Sequence, residues 1–146
     1  MKKRIERDLI ADFNPPKKRG VSLVNLNKRL KYWQKKLNMT DWEMDLRVVD
    51  FQKDNGYRQS GHFIANISKK TATILMTWDP WRGDEEYTLV HEMIHVLFYD
   101  FDKFNENKIR SLSNSNEMII DKYFEKLEKT VHQLTRSILG RTDKYR

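Results

Sequence analysis

The spacing of apolar residues along the chain predicts three helices. From Ser22 onward these residues recur every three or four positions, which predicts an amphipathic helix over residues 22–37 with Ser22 as its N-cap. A second helix is predicted to begin at residues 83–86, with acids in its first turn, and to lose definition near residue 102. Residues 105–116 are rich in Asn and Ser and predict a loop. A last helix is predicted over residues 116–139, ending at Gly140.

Between the first two helices the pattern changes to that of β-strands. Residues 42–48 alternate strictly between apolar and polar side chains, as a half-buried strand does. Residues 61–67 and 72–78 form two further candidate strands, joined by a short polar turn. The order of elements predicts an α+β domain in which a small mixed sheet of about three strands follows an N-terminal helix and precedes two C-terminal helices.

Positive charge is concentrated in the N-terminal quarter of the chain. The 146 residues are enough for one compact domain, with no apolar run of membrane-spanning length, no signal-peptide pattern and no cysteine. Residues 1–36 carry twelve Lys and Arg against three acids, whereas the rest carries sixteen against eighteen. We therefore expect a basic segment over residues 1–20 and a single domain over residues 21–146. The basic segment is suited to nucleic acid or an acidic partner, although a solvated, loose arm is the simpler interpretation.

The strongest chemical signal is the sequence His91-Glu92-Met93-Ile94-His95 within the second predicted helix. Histidines four residues apart project from one helix face, so that both imidazoles can bind one metal ion. Glu92 is placed to accept a proton from a water on that ion, as the general base of a hydrolase. The pattern predicts a zinc site with His91 and His95 as ligands.

A third ligand is expected from the last helix, which offers two carboxylates on its apolar side. Glu128 lies between Phe124 and Val131, and a buried carboxylate is costly unless it is paired or bound to metal. Glu117 shares that side but lies in the first turn, where it can simply cap the helix. The helical spacing assigns the two other candidates to the solvent side: Glu125 and His132.

Residues 88–97 resemble the active-site helix of the HExxH zincin metallopeptidases. More narrowly, the chain resembles the minimal zincins often encoded by bacteriophages and prophages, through residues 33–42, 72–74 and 128–136. This resemblance implies Glu128 as the third zinc ligand. A competing resemblance, of residues 116–121 to the glutamate helix of thermolysin-like gluzincins, implies Glu117 instead, with Asp121 orienting the first histidine.

The zincin resemblance also implies how substrate would bind. The strand before the active-site helix would be the sheet edge that pairs with a peptide, which here is residues 71–78. Three residues are candidates for stabilising the oxyanion: Tyr99, Tyr123 and His132. His62, in a candidate strand, is expected to have a structural role.

The sequence thus favours a zinc-dependent metallopeptidase acting on a protein or peptide in the cytoplasm, or in the host cytoplasm if the chain is phage-encoded. Two alternatives stay open. One is a DNA- or partner-binding regulator that acts through its basic N-terminal segment. The other is a phage assembly protein on a zincin scaffold that has lost turnover.

Overall fold

The computed structural model describes residues 10–12, 23–51, 59–77 and 84–141. Ser22, Trp78, Gly83 and most of the basic segment lie outside these ranges, and so do the predictions made for them. In chain order the elements are β1 (Ile10–Asp12), α1 (Leu23–Lys36), β2 (Glu43–Phe51), β3 (Gly61–Asn66), β4 (Thr71–Thr77), α2 (Glu85–Leu112) and α3 (Glu117–Ile138). The α+β class, with three helices and a mixed sheet, is confirmed.

The strands form one sheet in the order β1-β2-β4-β3. β2 and β4 are parallel, whereas β1 pairs antiparallel with β2 and β3 pairs antiparallel with β4. β4 is therefore an interior strand, and the expectation that residues 71–78 form the sheet edge is wrong. The edge next to β4 is β3, because the chain inserts β4 between β2 and β3.

The core lies between one face of this sheet and the helices. Alternate side chains of β2 and β4 point to the same side, as the period of two in a strand requires. They pack against the apolar faces of α1 and α2 in one buried cluster that also includes Val131 of α3. The strand residues of this cluster are Met44, Leu46, Val48, Ala72, Ile74 and Met76.

α2 continues to Leu112, so the loop predicted over residues 105–116 is wrong for most of its length. Its second half is held by contacts with α3 and within the helix. Asp102 is buried and accepts a hydrogen bond from the Tyr123 hydroxyl at 2.7 Å, and Glu106 accepts one from Arg110 at 3.0 Å. No helix in the described ranges is long and apolar enough to cross a membrane.

Contacts from two other parts of the fold hold the first turn of α2. Asp84 is the N-cap and accepts a hydrogen bond from the backbone N–H of Tyr87 at 3.0 Å. Arg141, beyond the end of α3, forms an ion pair with Asp84. Glu86 accepts a hydrogen bond from the indole nitrogen of Trp33 in α1 at 2.9 Å. These contacts fix the turn that comes just before His91.

Candidate metal centre

His91 and His95 meet a single carboxylate oxygen of α3. The Nε2 atom of His95 lies 2.7 Å from Oε1 of Glu128, and the Nε2 atom of His91 lies 3.2 Å from the same oxygen. The two histidines are one helical turn apart, and α3 packs alongside that face of α2. The fold therefore brings together the three residues that the sequence selected as metal donors.

His132 joins this group, although the sequence analysis placed it on the solvent side of its helix. Its Nε2 atom lies 3.9 Å from Oε2 of Glu128, and its ring centroid lies 4.4 Å from that of His91. Residues four apart on a helix are separated by only about 40° around the axis, so His132 follows Glu128 toward α2. His91, Glu128 and His132 offer ligand atoms within 4.8 Å of one another.

Tyr87 contacts the other ring nitrogen of His132. Its hydroxyl oxygen lies 2.7 Å from Nδ1 of His132, and its ring is buried. Tyr87 precedes His91 by four residues, so Tyr87, His91 and His95 line one face of α2 over three successive turns. With Nδ1 engaged by Tyr87, the Nε2 atom of His132 is directed toward Glu128.

The environment of His91 favours a neutral imidazole. Burial lowers the pKa of His91 from its ordinary 6.5 to about 4, and the neighbouring Glu128 carboxylate, which raises it, does not offset that effect. The ring is therefore uncharged at neutral pH, which is the form that binds a metal ion. Its Nδ1 atom is buried and has no hydrogen-bond partner within the part of the chain that the structure describes.

Aromatic side chains support His95 on the side of the sheet. The ring of Phe63, in β3, stacks on that of His95 with centroids 5.6 Å apart and an interplanar angle of 11°. Tyr99 packs edge-on against Phe63 with centroids 5.3 Å apart. These contacts limit the rotation of the His95 ring and connect the cluster to strand β3.

The side chain of Glu92 extends from α2 toward the start of β3, where Gly61 has no side chain to block it. A Cβ atom at position 61 would lie 3.0 Å from Cγ and 3.1 Å from Oε1 of Glu92, and only 2.7 Å from Cγ2 of Thr88. Any side chain at that position would displace Glu92 or Thr88. Glu92 is itself buried, at 7% exposure, on the helix that carries both histidines.

Other sequence candidates lie elsewhere. Glu117 is exposed and lies 3.6 Å from Arg110, and eleven residues of helix, about 16 Å of rise, separate it from Glu128. The hydroxyl of Tyr123 donates a hydrogen bond to Asp102, which indicates that Tyr123 has a structural role and not a catalytic one. Burial and this hydrogen bond raise the pKa of Tyr123 above its usual range. His62, in β3, is partly buried beside Phe63.

The grouped side chains suit a transition-metal ion such as zinc. Neutral imidazole and carboxylate are typical zinc donors. Two donors that are each about 2.1 Å from a tetrahedral ion lie about 3.4 Å apart, which is close to the 3.2 Å between His91 and Glu128. The 2.7 Å between His95 and Glu128 is shorter and is a hydrogen-bond distance. The donor chemistry and the His91–Glu128 spacing therefore fit a metal ion held between α2 and α3.

Gly61 and Tyr87 were not predicted from the sequence as parts of this site, and His132 was expected there only as a candidate for stabilising the oxyanion. Tyr87 and His132 are each four residues from a predicted ligand, and that spacing alone places them on the ligand's helix face. A glycine at the start of a strand often marks a close approach of another group. The identity of that group, Glu92, depends on tertiary packing.

Comparisons of the chain with protein-family models, with curated proteins and with solved structures found no match. The resemblance to zincins therefore depends on the motif alone.

Proposed function

We propose that this protein is a zinc-dependent metallopeptidase of the zincin type. The observation that carries the proposal is the convergence of His91, His95 and Glu128 from two helices. Glu92 is buried on the same helix as the two histidines. Donors of this kind in a set of three are typical of catalytic zinc sites, which keep one position open for water. The substrate would be a protein or peptide, encountered in the cytoplasm.

Each residue has a separate task in this proposal. His91, His95 and Glu128 would hold the ion, and zinc so held supplies Lewis acidity and a bound water of lowered pKa. The Glu92 carboxylate is the general base. It accepts the proton that the attacking water loses and passes it to the amine nitrogen of the leaving fragment. Because Gly61 has no side chain, Glu92 can occupy its position beside β3.

Strand β3 is the edge that we propose for substrate. The backbone N–H of Thr77 donates to the carbonyl of Ser60 at 2.9 Å, and Gly61 pairs with Met76 in the next register position. Antiparallel residues bond alternately to one side and the other, so Phe63 and Ala65 direct their N–H and C=O groups to the outer edge. An extended peptide would add there as a further strand, next to His95.

The test is cleavage of a peptide library by the zinc-loaded protein, with new termini identified by mass spectrometry. Glu92→Gln is the matched control because it keeps the shape of the side chain but cannot accept a proton as a carboxylate does. We expect wild type to cleave and Glu92→Gln to retain zinc while its rate falls by roughly 10²- to 10⁴-fold. Cleavage that is equal in both proteins, or absent from zinc-loaded wild type, would refute the proposal.

A further inference from the structure

A third imidazole faces the proposed metal position, and neither the HExxH motif nor the expected Glu ligand accounts for it. We propose that His132 is an additional protein donor to the metal, held in position by the hydroxyl of Tyr87. This inference depends on the metal centre of the proposed function and extends its donor set. The centre would then have three imidazoles and one carboxylate.

The arrangement of α2 and α3 places His132 close to the other proposed donors. On α2, His91 and His95 are separated by one turn, and on α3, Glu128 and His132 are separated by one turn. The two pairs face each other. The Nε2 atoms of His91 and His95 lie 3.2 Å and 2.7 Å from Oε1 of Glu128. The Nε2 atom of His132 lies 3.9 Å from Oε2 of the same carboxylate. His91, Glu128 and His132 form a group whose ligand atoms all lie within 4.8 Å of one another.

The other ring nitrogen of His132, Nδ1, is in contact with Tyr87. A histidine that binds metal through one ring nitrogen usually hydrogen-bonds through the other, which fixes the ring and its tautomer. The Tyr87 hydroxyl lies 2.7 Å from Nδ1 of His132 and supplies that contact. When Nδ1–H donates to Tyr87, Nε2 carries the lone pair that can bind a metal ion.

The exposure of the three rings suggests how His132 differs from the other two. The side chains of His91 and His95 are 8% and 15% exposed, whereas that of His132 is 39% exposed. Four protein donors fill a tetrahedral zinc site, and a water molecule then binds only if the coordination expands or one donor leaves. His132 is the most exposed of the four donors, so it is the one that leaves most readily.

The experiment counts imidazoles on the zinc of the full-length protein by X-ray absorption spectroscopy and measures zinc affinity by chelator competition. We expect three imidazoles in wild type and two in both His132→Ala and His132→Gln, with zinc bound at least ten-fold more weakly. Tyr87→Phe keeps the ring but removes the hydroxyl, and we expect its zinc affinity to fall roughly 10- to 100-fold. His62→Ala, which removes the one histidine outside the cluster, should retain three imidazoles and the wild-type affinity.

The outcomes separate this inference from the proposed function. Two imidazoles in wild type, unchanged in His132→Ala and His132→Gln, would overturn the role of His132 and leave the site of His91, His95 and Glu128 in place. Failure of wild type to bind zinc at all would overturn both proposals. Circular dichroism of each variant shows whether it is folded, and the more conservative His132→Gln decides the question if His132→Ala is not.

Discussion

Gly61 lies against the side chain of Glu92, so that a Cβ atom at position 61 would be 3.1 Å from the Glu92 carboxylate oxygen Oε1. Contacts this close are tolerated only if a neighbouring group moves. The proposed general base thus depends on a glycine in a different element, 31 residues earlier in the chain.

Gly61→Ala should therefore impair catalysis without removing the metal site. The new methyl group pushes against Thr88 and Glu92, and we expect a loss of roughly 1–3 kcal/mol in the free energy of unfolding. The catalytic rate should fall as Glu92 is displaced, whereas zinc content should stay at the wild-type level. Urea unfolding, peptidase assays and metal analysis of the one variant measure these three quantities.

Adding Thr88→Ser to Gly61→Ala separates the two effects. The nearest atom to the new methyl is Cγ2 of Thr88, and serine lacks it while keeping the hydroxyl that donates to the carbonyl of Asp84. We expect the double variant to recover part of the lost stability but not the activity, because the contact with Glu92 remains. Full recovery of activity would show that the position of Glu92 does not depend on Gly61.

Ala65→Pro tests strand β3 as the substrate edge. Proline removes a backbone N–H that points to the outer edge, so that one hydrogen bond to an added peptide strand is lost. We expect kcat/KM to fall roughly threefold to tenfold, the equivalent of about 0.5–1.5 kcal/mol. Ile64→Pro is the control, since Ile64 bonds toward Thr73 of β4 and its replacement should mainly destabilise the fold. An unchanged kcat/KM in folded Ala65→Pro would argue against β3 as the docking edge.

The Tyr123–Asp102 contact predicts a loss of stability in alkali. Burial and the hydrogen bond to Asp102 raise the pKa of Tyr123 in the folded protein above its unfolded value of about 10. The unfolded chain then loses its proton first, so the stability that this group supplies is complete below about pH 10 and declines as the pH rises further. Urea unfolding of wild type between pH 8 and 11 should show this decline.

Tyr123→Phe should lack that part of the pH dependence. At pH 8 it should be less stable by about 1–3 kcal/mol, because the buried Asp102 loses a hydrogen-bond donor. Tyr32→Phe is the matched control, since Tyr32 is exposed and should keep the wild-type profile. Profiles that coincide for wild type and Tyr123→Phe would contradict the assignment.

The sequence alone predicted the helix starts and the shared helix face of the two motif histidines, because both depend on short-range residue spacing. Asp84 and the acids after it indicated the start of α2, and the spacing of His91 and His95 indicated a shared helix face. Asn116 caps α3, in agreement with the start expected there. These features follow from periodicity and from the unpaired N–H groups of a helix terminus.

The features that the sequence did not predict depend on contacts between elements. Asn- and Ser-rich residues suggested a loop after residue 105, yet burial of Asp102 and Glu106 against neighbouring groups keeps α2 helical to Leu112. The place of β4 inside the sheet follows from pairing with both β2 and β3, which no single strand encodes. The inward position of His132 reflects its contact with Tyr87 on another helix.

The most direct test of the proposed metal centre is the zinc content of purified wild type, Glu128→Gln and Glu117→Gln, measured by mass spectrometry after zinc loading and removal of free metal. We expect about one zinc per chain in wild type and in Glu117→Gln, because Glu117 lies by Arg110 and about 16 Å along α3 from Glu128. Glu128→Gln should lose most of its zinc. Wild type without zinc, or loss in Glu117→Gln with retention in Glu128→Gln, would contradict the metal centre described here.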